Sequence, residues 1–156
     1  MIYSLAKWLN QHFEETLIVL CLSIMTLLIL YQTLSRFTFN ISPSWTQELA
    51  QFIQVYFVYI GASYAIKKEA HIKISLLKNR LNIKLHKLFD FVGIFFFGLF
   101  CIFLIIAGYK LCIDIKNFNQ LSSAMRIPMY IPYLALPLGG LLMMLRLIQR
   151  ASFLKH

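Results

Sequence analysis

Residues 16–35 read TLIVLCLSIMTLLILYQTLS, twenty consecutive positions without a charged side chain. Three further windows share that property: Leu49–Ile66, Phe91–Tyr109 and Ile127–Leu145, of 18, 19 and 19 residues. A helix rises about 1.5 Å per residue and a bilayer's hydrocarbon core is about 30 Å thick, so roughly 17–25 apolar residues make one crossing. Each window suits one crossing and none suits two. The sequence therefore predicts an all-α membrane protein: one domain, residues 1–156, with four transmembrane helices at 16–35, 49–66, 91–109 and 127–145. Composition agrees. Hydrophobic residues make up 60% of the chain and charged residues 13%, and the mean hydropathy is +0.71. A soluble domain of this size has too much surface to hide that apolar content, and a disordered chain has the opposite composition. The first window is too long for a cleavable signal, lacks a small-residue cleavage site after it, and is preceded by Glu14 and Glu15 rather than by positive charge.

The net charge of +9 reads mainly as a topology signal. Lys7, the loop after the second span (Lys67, Lys68, Lys73, Lys78, Arg80, Lys84, Lys87) and the C-terminal tail (Arg146, Arg150, Lys155) place eleven basic residues on one side. Arg36, Lys110, Lys116 and Arg126 place four on the other. Basic residues accumulate on the cytoplasmic side, which puts both termini inside. Nucleic acid is not an expected partner, because no basic–aromatic patch stands free of the membrane; anionic lipid is.

Two segments are predicted to lie along the membrane. Ile2, Leu5, Leu9 and Phe13 recur every three or four residues, which suits either a short interfacial helix or the cytoplasmic start of the first span. Leu77, Leu81, Leu85 and Leu88 are spaced 4, 4 and 3, with Lys78, Arg80, Lys84 and Lys87 between them. That pattern predicts a basic amphipathic interfacial helix between the second and third spans. On the outer side, Asn40, Ser42, Pro43 and Ser44 punctuate the chain, and Trp45 is placed as an aromatic anchor.

The second span carries the most telling face. Gln47, Gln51, Gln54, Val58, Gly61, Ala62 and Ala65 fall within an arc of about 100° at the helical period, bordered by Glu48. Amides go unsatisfied against lipid tails, and small residues let another helix approach. This face should meet protein, either by packing inside the four-helix unit or along a substrate path; packing accounts for it without a ligand. Pro132 and Pro137 predict a kink in the fourth span, where the apolar neighbours Leu134, Ala135, Leu136 and Leu138 argue against an ion site.

Catalytic and cofactor chemistry finds no foothold. No ionisable residue lies near the middle of a span, whereas stand-alone pumps and proton-coupled carriers use one there. The four histidines, His12, His71, His86 and His156, all fall outside the charge-free windows, so no pair is placed to ligate a haem. Cys21, Cys101 and Cys112 form no CxxC pair and read as small buried hydrophobes. No metal and no cofactor is expected, and the chain reads as a membrane subunit rather than an enzyme.

Several short motifs occur in a recognisable order. Arg36-Phe37 follows the first span; Trp45-Thr46-Gln47-Glu48 opens the second; Gly61-Ala62-Ser63-Tyr64-Ala65 lies near its end; His71-Ile72-Lys73-Ile74 follows; and Ile127-Pro128 through Pro132 to Pro137-Leu138-Gly139 comes near the C-terminus. Over nearly the whole chain this resembles the small, DctQ-like membrane subunit of tripartite ATP-independent periplasmic (TRAP) transporters. Gln47, Glu69 and Ser75 stand where that family often has an acid, a glycine and an aspartate. The resemblance implies a multi-pass protein of the bacterial inner membrane. Its partners would be a large membrane subunit, which carries an organic acid by an elevator motion coupled to a sodium gradient, and a periplasmic substrate-binding protein. This chain would act as scaffold. Arg36, Trp45 and Glu48 are candidates for outer-side docking, with Arg36 and Glu48 either pairing there or meeting the binding protein. His71 is a candidate cytoplasmic contact. The alternative is a self-sufficient small four-helix carrier.

Overall fold

A computed structural model describes the backbone of residues 2–68 and 83–153, and the side chains of residues 12–68 and 92–150. The described chain forms α1 (Ile2–Phe39), α2 (Ser44–Lys67), α3 (Ile83–Asn117), the single turn α4 (Tyr130–Tyr133) and α5 (Ala135–Phe153). Four stretches are long and apolar enough to cross a membrane: His12–Phe39, Ser44–Lys67, Val92–Asn117 and, through α4 and α5 together, Tyr130–Arg150. The protein is thus an all-α membrane protein with four spanning helices.

The first two spans run past their charge-free windows at both ends, the third runs past its outer end as far as Asn117, and the fourth begins at Tyr130, inside its window, and runs past the other end to Arg150. A charged residue interrupts hydropathy but does not end a helix; backbone conformation does. α1 stops where Asn40 takes a left-handed φ of 52°, a region that Asn tolerates better than most residues. Pro43 then precedes α2, and the buried Thr46 hydroxyl donates to the Pro43 carbonyl at 2.7 Å. α3 likewise ends just before Asn119, at φ 48°. The N-terminal stretch is continuous with α1 from Ile2 onward. Of the amphipathic segment at 77–88, residues from Ile83 onward begin α3; its remainder, and His71, lie outside the described residues.

The helices pack in a row, in the order α1, α2, α5, α3, and α1 and α3 at its ends do not close on each other. α5 occupies the centre because two adjacent glycines face its two neighbours. A methyl group on Gly139 would overlap the Tyr59 side chain of α2. One on Gly140 would sit 2.9 Å from Ile105 Cγ1 and 3.3 Å from the Cys101 carbonyl oxygen of α3. The core grows around these contacts: Ile66, Cys101, Leu104, Met143 and Leu147 are buried together, with Tyr59, Ala62 and Phe97 against them. Cys112 is also buried and Cys21 partly so.

The fourth crossing is interrupted at Leu134, between α4 and α5. Pro137 has no N–H to return to the Tyr133 carbonyl, where α4 ends. The break is held from both sides. The Tyr56 hydroxyl of α2 donates to the Ile131 carbonyl at 2.6 Å. On α3, a methyl at Gly108 would lie 2.9 Å from Leu136 Cβ and from Pro137 Cδ, so the bent segment rests on bare backbone.

Gly139→Leu should lower the thermal midpoint of the detergent-purified protein, since overpacking typically costs about 1–3 kcal/mol. Gly61→Ala, where nothing lies within 4 Å of the added methyl, should leave it unchanged. Equal midpoints for the two variants would contradict the central-helix packing.

Candidate functional site

Polar side chains gather at the two ends of the helices. At the end carrying the α1–α2 and α3–α4 connections, Glu48 in the second turn of α2 grips the loop before α4. Its Oε1 accepts the Ser123 N–H at 3.1 Å, and its Oε2 accepts the N–H groups of Ala124 and Met125 at 2.9 and 2.8 Å. The loop is otherwise a tight turn. The Ser122 N–H donates to the Ile127 carbonyl at 2.8 Å, the Met129 N–H donates to the Gln120 carbonyl at 2.9 Å, and Leu121 and Pro128 form an antiparallel bridge. Arg126 sits in it at a left-handed φ of 54°, a conformation that costs a non-glycine residue roughly 1–2 kcal/mol. Charge-assisted bonds from three backbone amides to one carboxylate offset that cost. The loop therefore presents a shaped surface, with Arg126, Phe118 and Leu121 exposed.

The other outer-side candidates lie across the α1–α2 connection. Arg36, in the last turn of α1, is exposed and lines a cleft of about 400 Å³ with Gln32, Thr33, Phe37 and Ser42. Trp45 is exposed and packs on Tyr31, with ring centroids 6.1 Å apart. Among the described residues Arg36 and Glu48 form no ion pair; the Glu48 carboxylate is committed to the loop. Along the candidate face of α2, Gln47, Gln51 and Gln54 are exposed, Gly61 and Ala65 are half-buried, and Ala62 packs against the core.

The opposite end holds a buried ion cluster. Glu14 of α1 is 1% exposed. Its Oε1 accepts from the Ser63 hydroxyl of α2 at 2.9 Å and from Arg146 Nε of α5 at 2.8 Å, and its Oε2 lies 3.4 Å from Lys67 Nζ. Glu15 repeats the pattern one residue along, toward solvent. Tyr64 donates to its Oε1, and Lys68 Nζ lies 3.5 Å away and over the Tyr64 ring. The Tyr64 hydroxyl and the Glu15 carboxylate hold the Lys68 ammonium above the ordinary lysine range. Ser63/Lys67 and Tyr64/Lys68 are each one turn apart, so each carboxylate meets two consecutive turns of α2. Glu14 also bridges to α5, and three helices are tied at one depth. Among the described residues no three His, Cys, Asp or Glu side chains gather to hold a metal ion.

The sequence profile of the tripartite ATP-independent periplasmic transporters, DctQ component, matches residues 25–153. The chain belongs to the DctQ family. It is a small permease subunit of the TRAP type, a multi-pass helical protein consistent with the inner membrane. It is 29% identical over 154 residues to the isethionate TRAP transporter permease protein DctMQ of Oleidesulfovibrio alaskensis, covering 91% of this chain and 23% of that one. It is 30% identical over 122 residues to the C4-dicarboxylate TRAP transporter small permease protein DctQ of Rhodobacter capsulatus, covering 78% and 52%. A putative TRAP transporter small permease protein of Haemophilus influenzae is 28% identical over 155 residues, covering 96% and 91%. The chain thus spans about a quarter of the first relative and about half of the second.

Within this DctQ chain, Glu14, Ser63 and Arg146 were not singled out from sequence. The available signal was opposite charge at one membrane face: Glu14 before the first span, Lys67 after the second, Arg146 after the fourth. That pattern shows the charges share a depth, not that they share a cluster.

Removing one partner of a buried ion pair typically costs about 3–5 kcal/mol, because the other charge is left uncompensated. Glu14→Ala should therefore lower the thermal midpoint sharply. Glu15→Ala, in the more exposed pair, should cost no more than about 1 kcal/mol. Similar losses from both would show that Glu14 does not bear the load assigned to it. Glu48→Ala should speed amide hydrogen exchange at Ser123–Met125 by about tenfold or more, given about 1.5–3 kcal/mol for a bond to a charged group; unchanged exchange would refute the loop anchor.

Proposed function

We propose that this chain braces the large membrane subunit of a TRAP-type transporter that takes up an organic acid, with uptake driven by a sodium gradient through that large subunit. One observation carries the reading: the helices form an unclosed row, and every Asp, Glu, Lys, Arg and His of the described spans lies toward an end of its own span. A row without a closed interior or a mid-depth charge has no place to release and retake a coupled ion. It does have broad faces for another membrane protein. The relatives support the partner. In the isethionate protein the matching segment fills 23% of one long polypeptide, so there this module travels with a much larger remainder. The substrates in the relatives' names, isethionate and C4-dicarboxylates, are organic anions, which supports that substrate class.

The excess of basic residues supports placing the Glu14 cluster and both termini in the cytoplasm, with the segment at 77–88 against the inner leaflet and His71 at that interface. The Glu48-anchored loop, Arg36 and Trp45 then face the periplasm, where they form the surface met by the substrate-binding protein. A bent fourth crossing at Pro132 and Pro137 gives the brace its shape.

Reconstitution tests the reading. Proteoliposomes holding this chain with the large subunit of the same transporter, and supplied with the binding protein, should take up substrate in a sodium gradient. Liposomes holding this chain alone should not. Uptake by the isolated chain would overturn the reading in favour of a self-sufficient four-helix carrier. Arg36→Glu should slow uptake severalfold at limiting binding protein and recover when that protein is in excess, as a rim charge acts mainly on encounter. Wild-type rates at limiting binding protein would remove Arg36 from the docking surface.

A further inference from the structure

Several polar side chains in the spans are satisfied within the chain. The hydroxyls of Ser23, Thr26 and Thr33 each donate to the carbonyl four residues earlier in α1. Tyr56 and Tyr64 donate across helices, both Glu48 oxygens accept backbone amides, and Glu14 accepts through Oε1 while its Oε2 faces Lys67. The amides of Gln47, Gln51 and Gln54 are different: all three are exposed and none has a hydrogen bond in the described structure. Gln54 is ten residues beyond Ser44, about 15 Å along a 24-residue helix, so it sits near mid-depth.

These amides are part of a longer stripe. From the second turn of α2 to Lys67, the exposed residues are Gln51, Gln54 and Val58. Gly61, on the same line, has nothing within 4 Å of where a side chain would begin. Positions 47, 51, 54, 58, 61 and 65 alternate steps of four and three over five intervals, an arc of about 80° at the helical period. Steps averaging 3.6 keep the stripe on one side of the helix along its whole length, and small residues on such a line let one neighbouring membrane helix lie close.

We propose that this stripe seats a single membrane-crossing helix of the large subunit, which lies along α2 and offers hydrogen-bonding groups to the three amides. The inference rests on the brace reading above. Lipid tails cannot be the occupant, since they bond no amide. The occupant is a helix because the 4–3 spacing persists for five turns. It is uncharged along this line, since the stripe carries no charge to pair with. Gly61 and Ala65 admit its closest approach at the end nearer Lys67. The large subunit is preferred to a second copy of this chain because the isethionate relative holds the matching segment in one polypeptide with its larger remainder.

The test uses the full complex in native membranes. A photo-crosslinking benzoylphenylalanine is placed at Gln54 or Val58, and as controls at Leu27 on α1 or Phe96 on α3, which are exposed elsewhere. Adducts to the large subunit from 54 and 58, and not from both controls, are expected. Adducts to a second copy, or to lipid alone, would overturn the proposal. In parallel, Gln51→Leu/Gln54→Leu should keep the thermal midpoint of the isolated chain but reduce co-purification with the large subunit by about tenfold. Undiminished co-purification would also overturn it. Should the unmodified chain itself fail to co-purify, the brace reading falls together with the stripe; should it co-purify while 54 and 58 stay uncrosslinked, the stripe alone falls.

Discussion

Hydrocarbon accepts no hydrogen bonds, and that single constraint organises this molecule. Each polar group that enters the membrane must bring a partner or be given one. The α1 hydroxyls bring theirs, the carbonyls one turn back in the same helix. Glu14 is given two cations and a hydroxyl by two other helices. Glu48 is given a run of backbone amides by a loop more than seventy residues away in sequence. Because carboxylates are the costliest groups to leave unsatisfied, these two fix where helices and loops must sit, and the apolar packing fills in between.

The clamps and the packing act at different depths. Glu14 ties α1, α2 and α5 at one end, while Glu48 ties α2 to the α3–α4 loop at the other. Between them the row is held by close approach: Gly139 to Tyr59, Gly140 to Ile105, Gly108 to the bend at Pro137. Without a hydrophobic drive between helices in lipid, close packing and polar bonds are what remain to hold them together. Placing the bonds at the ends and the glycines in the middle keeps charge out of mid-depth while still fixing the helix order.

Much of this was legible in the sequence, for reasons that also mark where legibility stopped. Four crossings follow from window length alone; their packing order, with the fourth between the second and third, does not. The charge-free windows end at charged residues such as Glu15, Lys67 and Arg146, although each lies inside a helix. Hydropathy treats charge as a boundary; a buried pair makes it an interior. The break in the fourth crossing follows from Pro137's missing donor, but its exact place, after Tyr133, also depends on Tyr56 and Gly108 reaching it from α2 and α3. The Glu48 anchor was not legible, since its acceptors are backbone amides of Ser123, Ala124 and Met125, and side-chain identity says nothing of where backbone amides point.

From sequence the amide face of α2 is expected to meet protein, with packing inside the four-helix unit the simpler account, whereas in the structure Gln47, Gln51 and Gln54 stay exposed. Ala62, at the margin of the arc, turns into the core, whereas Gln51, Gln54 and Val58 stay outside it. The in-chain contacts of α2 are made by Thr46, Ala50, Ser63 and Ile66 instead. A chain folding alone would gain by replacing three unbonded amides with leucine, because nothing among the described residues bonds them. Their presence on one side of the helix is what a sequence would show if it were shaped by a partner as well as by its own fold. Among the described residues, no helix that packs on α2 brings a hydrogen-bonding group to these amides.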